Sequence, residues 1–466
     1  MAVLDLVIRG GEIINAEGSN RADIGIADGI IMQIGGEMTA EREIDAHGKL
    51  LFPGGIDAHV HLRTQPAPSE EPIWVDDFTS GSAAALAGGV TTVGNMTFIP
   101  AEEMPLAGLQ REAEAASQQA IADFFLHPII SNPTPQVLDE IPRLLEVGCN
   151  SIKIFTVLPK FDEHVQGYLE AIRRAGASGL ITLIHCEDHS LIEDATTQLT
   201  DAGHAALCYF PESRPVIAEV VATQRAVAFA EATASPVYIV HLSSKRALEV
   251  CAEAQSRGVP VYVETRPLYL HLTSERFNEA DGAKYVGQPP LREQPDAEAL
   301  WAGIAEGTIH TVCTDHAPWM LKDKLDPGLD IKKLRPGVEN LQMMLPMLYS
   351  EGVRTGRITQ SRFVEVTATN AAKLFGLYPR KGTIAVGSDA DIIVFDPELS
   401  REVENSMLKS NADYSVYEGW QVTGWPVITI RRGEVVFQDD EVIGAPGSGK
   451  LVVRGQTQAA QLSLGK

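Results

Sequence analysis

Cysteine, positive charge and long apolar runs are scarce in this chain, and each scarcity removes a class of protein. Five cysteines (Cys149, Cys186, Cys208, Cys251, Cys313) are scattered over 466 residues with no CxxC spacing. An odd, dispersed set supplies neither a disulfide framework nor a thiolate zinc site, and it predicts a reducing, cytoplasmic setting. Cys186 and Cys313 read as small buried hydrophobes. The 38 Lys and Arg are outnumbered by 62 Asp and Glu, leaving a net charge of −24. A field of that sign repels phosphate backbones and anionic lipid, so neither nucleic acid nor membrane is expected as a partner. No run is apolar over the length that crosses a bilayer. The opening MAVLDLVIRGGEIINAEG alternates like a strand and lacks the basic region and long apolar core of a secretory signal.

With 44% apolar residues, the chain can bury a large core, and 466 residues suit one large α/β domain with a smaller companion. From Leu51 onward, short β-branched runs alternate with Ala-, Glu- and Leu-rich segments of helical period. Eight strands are predicted, at 54–62, 90–96, 123–130, 151–155, 180–185, 237–241, 261–264 and 310–315. No P-loop or GxGxxG turn follows any of them, which excludes a nucleotide-binding open sheet. The expected fold is therefore a (β/α)8 TIM barrel over 53–380, with a small β-sandwich built from both chain ends, 1–52 and 381–443. The segment 444–466 reads as a polar tail, either disordered or an arm for oligomer contacts.

His59 and His61 form an HxH at the end of the first strand, and the two-residue period of a strand sends both rings to one face. His185 closes the fifth strand, His241 the sixth and Asp315 the eighth. In a barrel these strand ends share one mouth, and four imidazoles with a carboxylate suit zinc. Lys153 is the anomaly: SIKIF places an ammonium inside a short β-branched strand, where it needs a partner or a chemical modification.

These residues, together with FPGGIDAHVHL, AAALAGGVTTV, SIKIF, HCED, VHLSS, VETRPLYLHLT, QPPLR, TDHAP and KLFGLYPRKGTIAVGSDADIIVFD in that order, resemble the cyclic amidohydrolases: hydantoinase and dihydropyrimidinase, allantoinase and dihydroorotase. The resemblance spans nearly the whole chain. It implies two divalent metal ions, zinc or else manganese or cobalt, and a carbamate formed on Lys153 from carbon dioxide. His59, His61, Lys153 and Asp315 would hold one ion, and Lys153, His185 and His241 the other. A metal-bridging hydroxide would attack a cyclic amide or imide, and Asp315 would carry its proton to the leaving nitrogen. The family also implies a homo-oligomer, tetramer or dimer.

The ring itself is less defined. Hydantoinase-type enzymes carry an oxyanion tyrosine shortly after the bridging lysine, but Ile154 to Phe161 contains none, and Gln288 stands where they have serine before PPLR. Arg63 matches a dihydroorotase arginine that grips a carboxylate; the alternative is a structural arginine. Asn340 sits where hydantoinases place an asparagine against substrate, and Phe98, Phe155 and Trp319 could line an apolar pocket. An amidase or deaminase acting outside the ring, and a scaffold without catalysis, are the rival readings.

Overall fold

Val, Ile and Thr crowd χ1 in a helix but pack well on a pleated surface, and the β-branched runs in the middle of the chain form strands buried on both faces. The computed structural model describes residues 4–65, 72–100 and 102–464; the first three residues of the N-terminal β segment and the last two of the tail lie outside that range. Gly55–Val60, Val90–Thr97 and Asp123–Pro128 pair in parallel as a three-stranded sheet. Ser151–Phe155, Ile181–His185, Val237–Ile239, Val261–Thr265 and Thr311–Val312 form a five-stranded parallel sheet, each strand beside its sequence neighbour. Isolated parallel bridges, Ile129 to Lys153 and Val60 to His316, connect the two sheets.

The sixth and eighth strands stop earlier than the apolar pattern predicts. His241 (φ 38°) and Asp315 (φ 52°) adopt left-handed backbone, which ends the ladder at two of the residues singled out for chemistry. Helices such as Phe78–Ala87, Val165–Ala177 and Val216–Thr233 follow the strands, the first capped by Asp77, which accepts from the amides of Thr79 and Ser80. The parallel strands lie close together: a Cβ added to Gly94 would stand 2.5 Å from the Phe125 ring.

The protein is mixed α/β with a β-rich domain at its N-terminal end. A seven-stranded sheet joins N-terminal strands Glu12–Asn15, Gly18–Arg21 and Leu50–Pro53 to C-terminal strands that include Ile392–Glu402 and Gln421–Arg431. Leu50–Pro53 pairs antiparallel with Ile392–Glu402, so both ends of the chain share one sheet. A four-stranded sheet of Leu4–Arg9, Ile24–Ala27, Ile30–Ile34 and Ala40–Asp45 packs against it through Leu6, Ile26, Leu51, Ile392 and Ile430. Between this domain and the parallel sheets, Lys381 meets Asp123, Asp389 and Asp391 at 2.8, 3.2 and 2.5 Å, an ion-pair knot in which all but Asp389 are buried.

The tail, expected to be disordered or an oligomer arm, lies on its own chain. Phe124 N donates to the Lys450 carbonyl (3.0 Å) and Val452 N to the Phe124 carbonyl (2.7 Å). Buried Arg454 donates to the Leu126 carbonyl (2.6 Å) and Ser151 Oγ (2.9 Å), which binds the tail to the N-terminal ends of the third and fourth parallel strands.

Candidate metal centre

At the opposite, C-terminal ends of those strands is a cavity of about 240 Å³ whose wall includes His59, His61, His185, His241 and Asp315. Glu264, the penultimate residue of the seventh strand, accepts from His59 Nδ1 (2.8 Å) and from the His241 backbone amide (2.8 Å). With Nδ1 so engaged, the Nε2 of His59 faces inward, 3.2 Å from Asp315 Oδ1, and His61 Nε2 lies 3.0 Å from the same oxygen. Two imidazole nitrogens and one carboxylate oxygen therefore converge within the reach of a single ion. His185 Nε2 is 2.8 Å from Glu187 Oε2, and Arg214 pairs with the same carboxylate at 2.5 Å. The His241 ring packs 4.5 Å from that of His185 and 5.4 Å from that of His59. Lys153 projects fully buried among them, its Nζ 4.9 Å from the centre of the Phe155 ring.

Burial dominates the electrostatics. It lowers Lys153 to about 8 against the pull of Glu264 and Asp315, so about a tenth of it is free amine at neutral pH, where an ordinary lysine has almost none. Burial also lowers His61, His185 and His241, which keeps them neutral, the form that offers a metal a lone pair. For Asp315 burial works upward, but Arg266, His59 and His61 overcome it and hold the carboxyl well below its ordinary range. His61 Nδ1, His241 Nδ1 and Lys153 Nζ are buried without a hydrogen-bond partner. Orphans at one spot, in a set of nitrogen and oxygen donors, fit a divalent metal ion.

The model of the amidohydrolase family matches residues 50–436. The chain belongs to the amidohydrolase family. It is 37% identical to a D-hydantoinase of Ralstonia pickettii, an alignment that covers 97% of this chain and 99% of that one. The solved D-hydantoinase of a Bacillus sp. superposes with a TM-score of 0.93 at 35% identity, covering 97% and 99% of the two chains. A dihydropyrimidinase from Brevibacillus agri superposes with a TM-score of 0.91 at 33% identity and the same coverage.

Among amidohydrolase features expected to read substrate, the structure separates three residues. Gln288 lines the cavity, next to a cis bond to Pro289. Arg63 is absent from the wall among the described residues; its guanidinium donates to the carbonyls of Gln65, Val75 and Trp74, the structural alternative. Asn340 is absent too, and donates Nδ2 to the Thr314 carbonyl (3.0 Å). Phe98 and Phe155 stack at 6.3 Å on the rim, whereas Trp319 packs behind Trp74, which takes the wall position. From the stretch Ile154 to Phe161, where the family resemblance implied a tyrosine and the sequence has none, Val157 and Leu158 face the cavity. Cys186 and Cys313 are buried, and burial pushes both thiols upward.

Sequence reasoning missed Glu264, Glu187 and Arg266. Glu264 was detectable, because an acid ending the buried run VYVE is the same anomaly as the lysine in SIKIF. Glu187 stands two residues after His185, but its partner Arg214 is not local, and nothing in the spacing joins Arg266 to Asp315.

Proposed function

We propose that this protein hydrolyses a cyclic amide or imide of hydantoin or dihydropyrimidine type. The observation that carries the reading is the convergence of His59, His61 and Asp315 beside an unpartnered, buried Lys153 in a cavity. The full-length similarity to proteins named D-hydantoinase supports the ring class. His59, His61, Lys153 and Asp315 would hold one divalent ion, zinc or else manganese or cobalt, and Lys153, His185 and His241 a second. When bound, such ions polarise the scissile carbonyl and make water a nucleophile at neutral pH. Lys153 Nζ, as free amine, adds carbon dioxide and releases a proton, turning a costly cation into an anionic ligand. Asp315 accepts the proton of the attacking water and delivers it to the ring nitrogen, without which an amide nitrogen leaves poorly. Glu264 and Glu187 fix the rings of His59 and His185, and Gln288 orients the ring to be opened. Trp74, Phe98 and Phe155 give the mouth an apolar wall suited to a ring substituent.

Around this chemistry we read the eight parallel strands as one closed (β/α)8 barrel over 53–380, flanked by a sandwich from 1–52 and 381–443. Support comes from the two bridging contacts and from one buried cluster that Ile56, Met96, Phe125, Leu183, Tyr238 and Tyr262 share across both sheets. The five free cysteines support action in a reducing cytoplasm, and family likeness supports a homo-oligomer.

The test is turnover of metal-reconstituted protein in bicarbonate buffer against hydantoin, 5-substituted hydantoins, dihydrouracil, dihydroorotate and allantoin, followed by ring absorbance. Opening of neutral rings is expected; activity confined to dihydroorotate would overturn this specificity. Apolar Val157 and Leu158 at the tyrosine position favour one second reading, deamination outside the ring, which ammonia release with the ring intact would establish.

A further inference from the structure

We propose that Arg266 is a positioning residue that fixes the orientation of Asp315 from outside the cavity and thereby sets the rate of proton transfer. The inference rests on the reading of Asp315 as proton carrier. Arg266 follows the seventh parallel strand and is fully buried, yet it is absent from the cavity wall among the described residues. Its Nη1 lies 3.1 Å from Asp315 Oδ2, while Oδ1 faces His59 and His61, so the two carboxylate oxygens are held by different groups. Its Nε donates to the Thr314 carbonyl (3.0 Å), which also accepts from Asn340, and this fixes the peptide just before Asp315. That peptide precedes a left-handed, non-glycine residue, a conformation that persists only where its surroundings enforce it.

The contact with Oδ2 is a charge pair rather than an aligned hydrogen bond, because both Nη atoms lack an acceptor. The Arg266 guanidinium also stacks 5.4 Å from the Tyr269 ring, but two buried Nη atoms without an acceptor remain costly, and such a cost is tolerated where the charge serves a neighbour. The neighbouring loop leaves space for it: a Cβ on Gly287 would stand 2.8 Å from Nη1, and the next residue is Gln288 of the cavity wall. Freed from Arg266, the Asp315 carboxylate would turn about its own axis, and a misplacement of about 1 Å in a reacting group costs roughly 100-fold in rate.

The experiment compares Arg266→Gln and Arg266→Lys with wild type, on whichever cyclic amide the wild type opens, and follows removal of metal by a chelator. For Arg266→Gln the expected result is kcat lower by about 10- to 100-fold with KM within about two-fold. Arg266→Lys keeps the charge without the Nε donor and recovers part of kcat. Removing a cation beside Asp315 leaves its carboxylate a stronger donor, so the chelator strips Arg266→Gln no faster than wild type, which a merely structural residue would not predict. Unchanged kcat, a rise in KM alone, or activity lost in step with metal overturns the inference. If Arg266→Gln does not fold, Gly287→Ala, which crowds Nη1, is judged by the same criteria. A wild type that opens no ring overturns the underlying reading instead, whereas an active wild type matched by Arg266→Gln removes this inference alone.

Discussion

A lysine ammonium buried without an acceptor is among the costlier groups a protein can hold, and Lys153 is in that position. The proposed carbamylation would relieve it by putting an anionic ligand in place of that cation, beside four imidazoles that carry no negative charge. Lys153→Ala should therefore lose at least one metal equivalent by elemental analysis. Loss of a supporting group around a metal costs about 10- to 100-fold, so this change should cost more, with partial rescue by acetate or propionate. A fully active variant would exclude Lys153 from the centre. Glu339 poses the converse problem. Burial, reinforced by Asp76, raises its carboxyl to about 8, and neither oxygen has a hydrogen-bond partner. The folded protein keeps this proton where the unfolded chain has lost it, so stability falls as pH rises from about 4.5 to about 8. The full span is roughly 3–5 kcal/mol. Thermal midpoints across that range should decline less for Glu339→Gln than for wild type; parallel curves would place the charge elsewhere.

At the scale of elements, the parallel strands were legible because β-branched runs bounded by Gly, Pro and Asn encode a local preference that burial reinforces. The candidate ligands were legible because each closes a predicted strand: His59 and His61 share a face by the two-residue period and His185 ends Ile181–His185, whereas His241 and Asp315 follow shortened strands in left-handed backbone. What failed to show was whatever depends on a distant neighbour. Arg63 stood open between a carboxylate clamp and a structural arginine because its acceptors at residues 74 and 75 are not adjacent in sequence, and Glu187 needed Arg214 from another segment. The tail was unreadable because its partners are backbone groups of Phe124 and Leu126, more than 300 residues away. Its contribution can be measured: Arg454→Met removes donors to Leu126 and Ser151 and should cost about 2–4 kcal/mol in denaturant unfolding. An unchanged midpoint would reduce the tail to a surface strap.

For the whole molecule, a metal that binds only the folded chain adds stability by mass action, about 4 kcal/mol at a thousand-fold excess over its dissociation constant. Chelation should lower the thermal midpoint by several degrees, and zinc or manganese should restore it. A midpoint indifferent to both would count against the centre.

The strand Leu50–Pro53 finds its antiparallel neighbour only at Ile392–Glu402. During synthesis at about 5–20 residues per second, the early strand waits roughly 20–70 s before that neighbour leaves the ribosome. Through that interval one sheet edge stands open, a template for any extended chain nearby. Nascent chains of this protein should consequently depend on chaperones in proportion to how slowly they are translated, even though the finished molecule hides the seam completely.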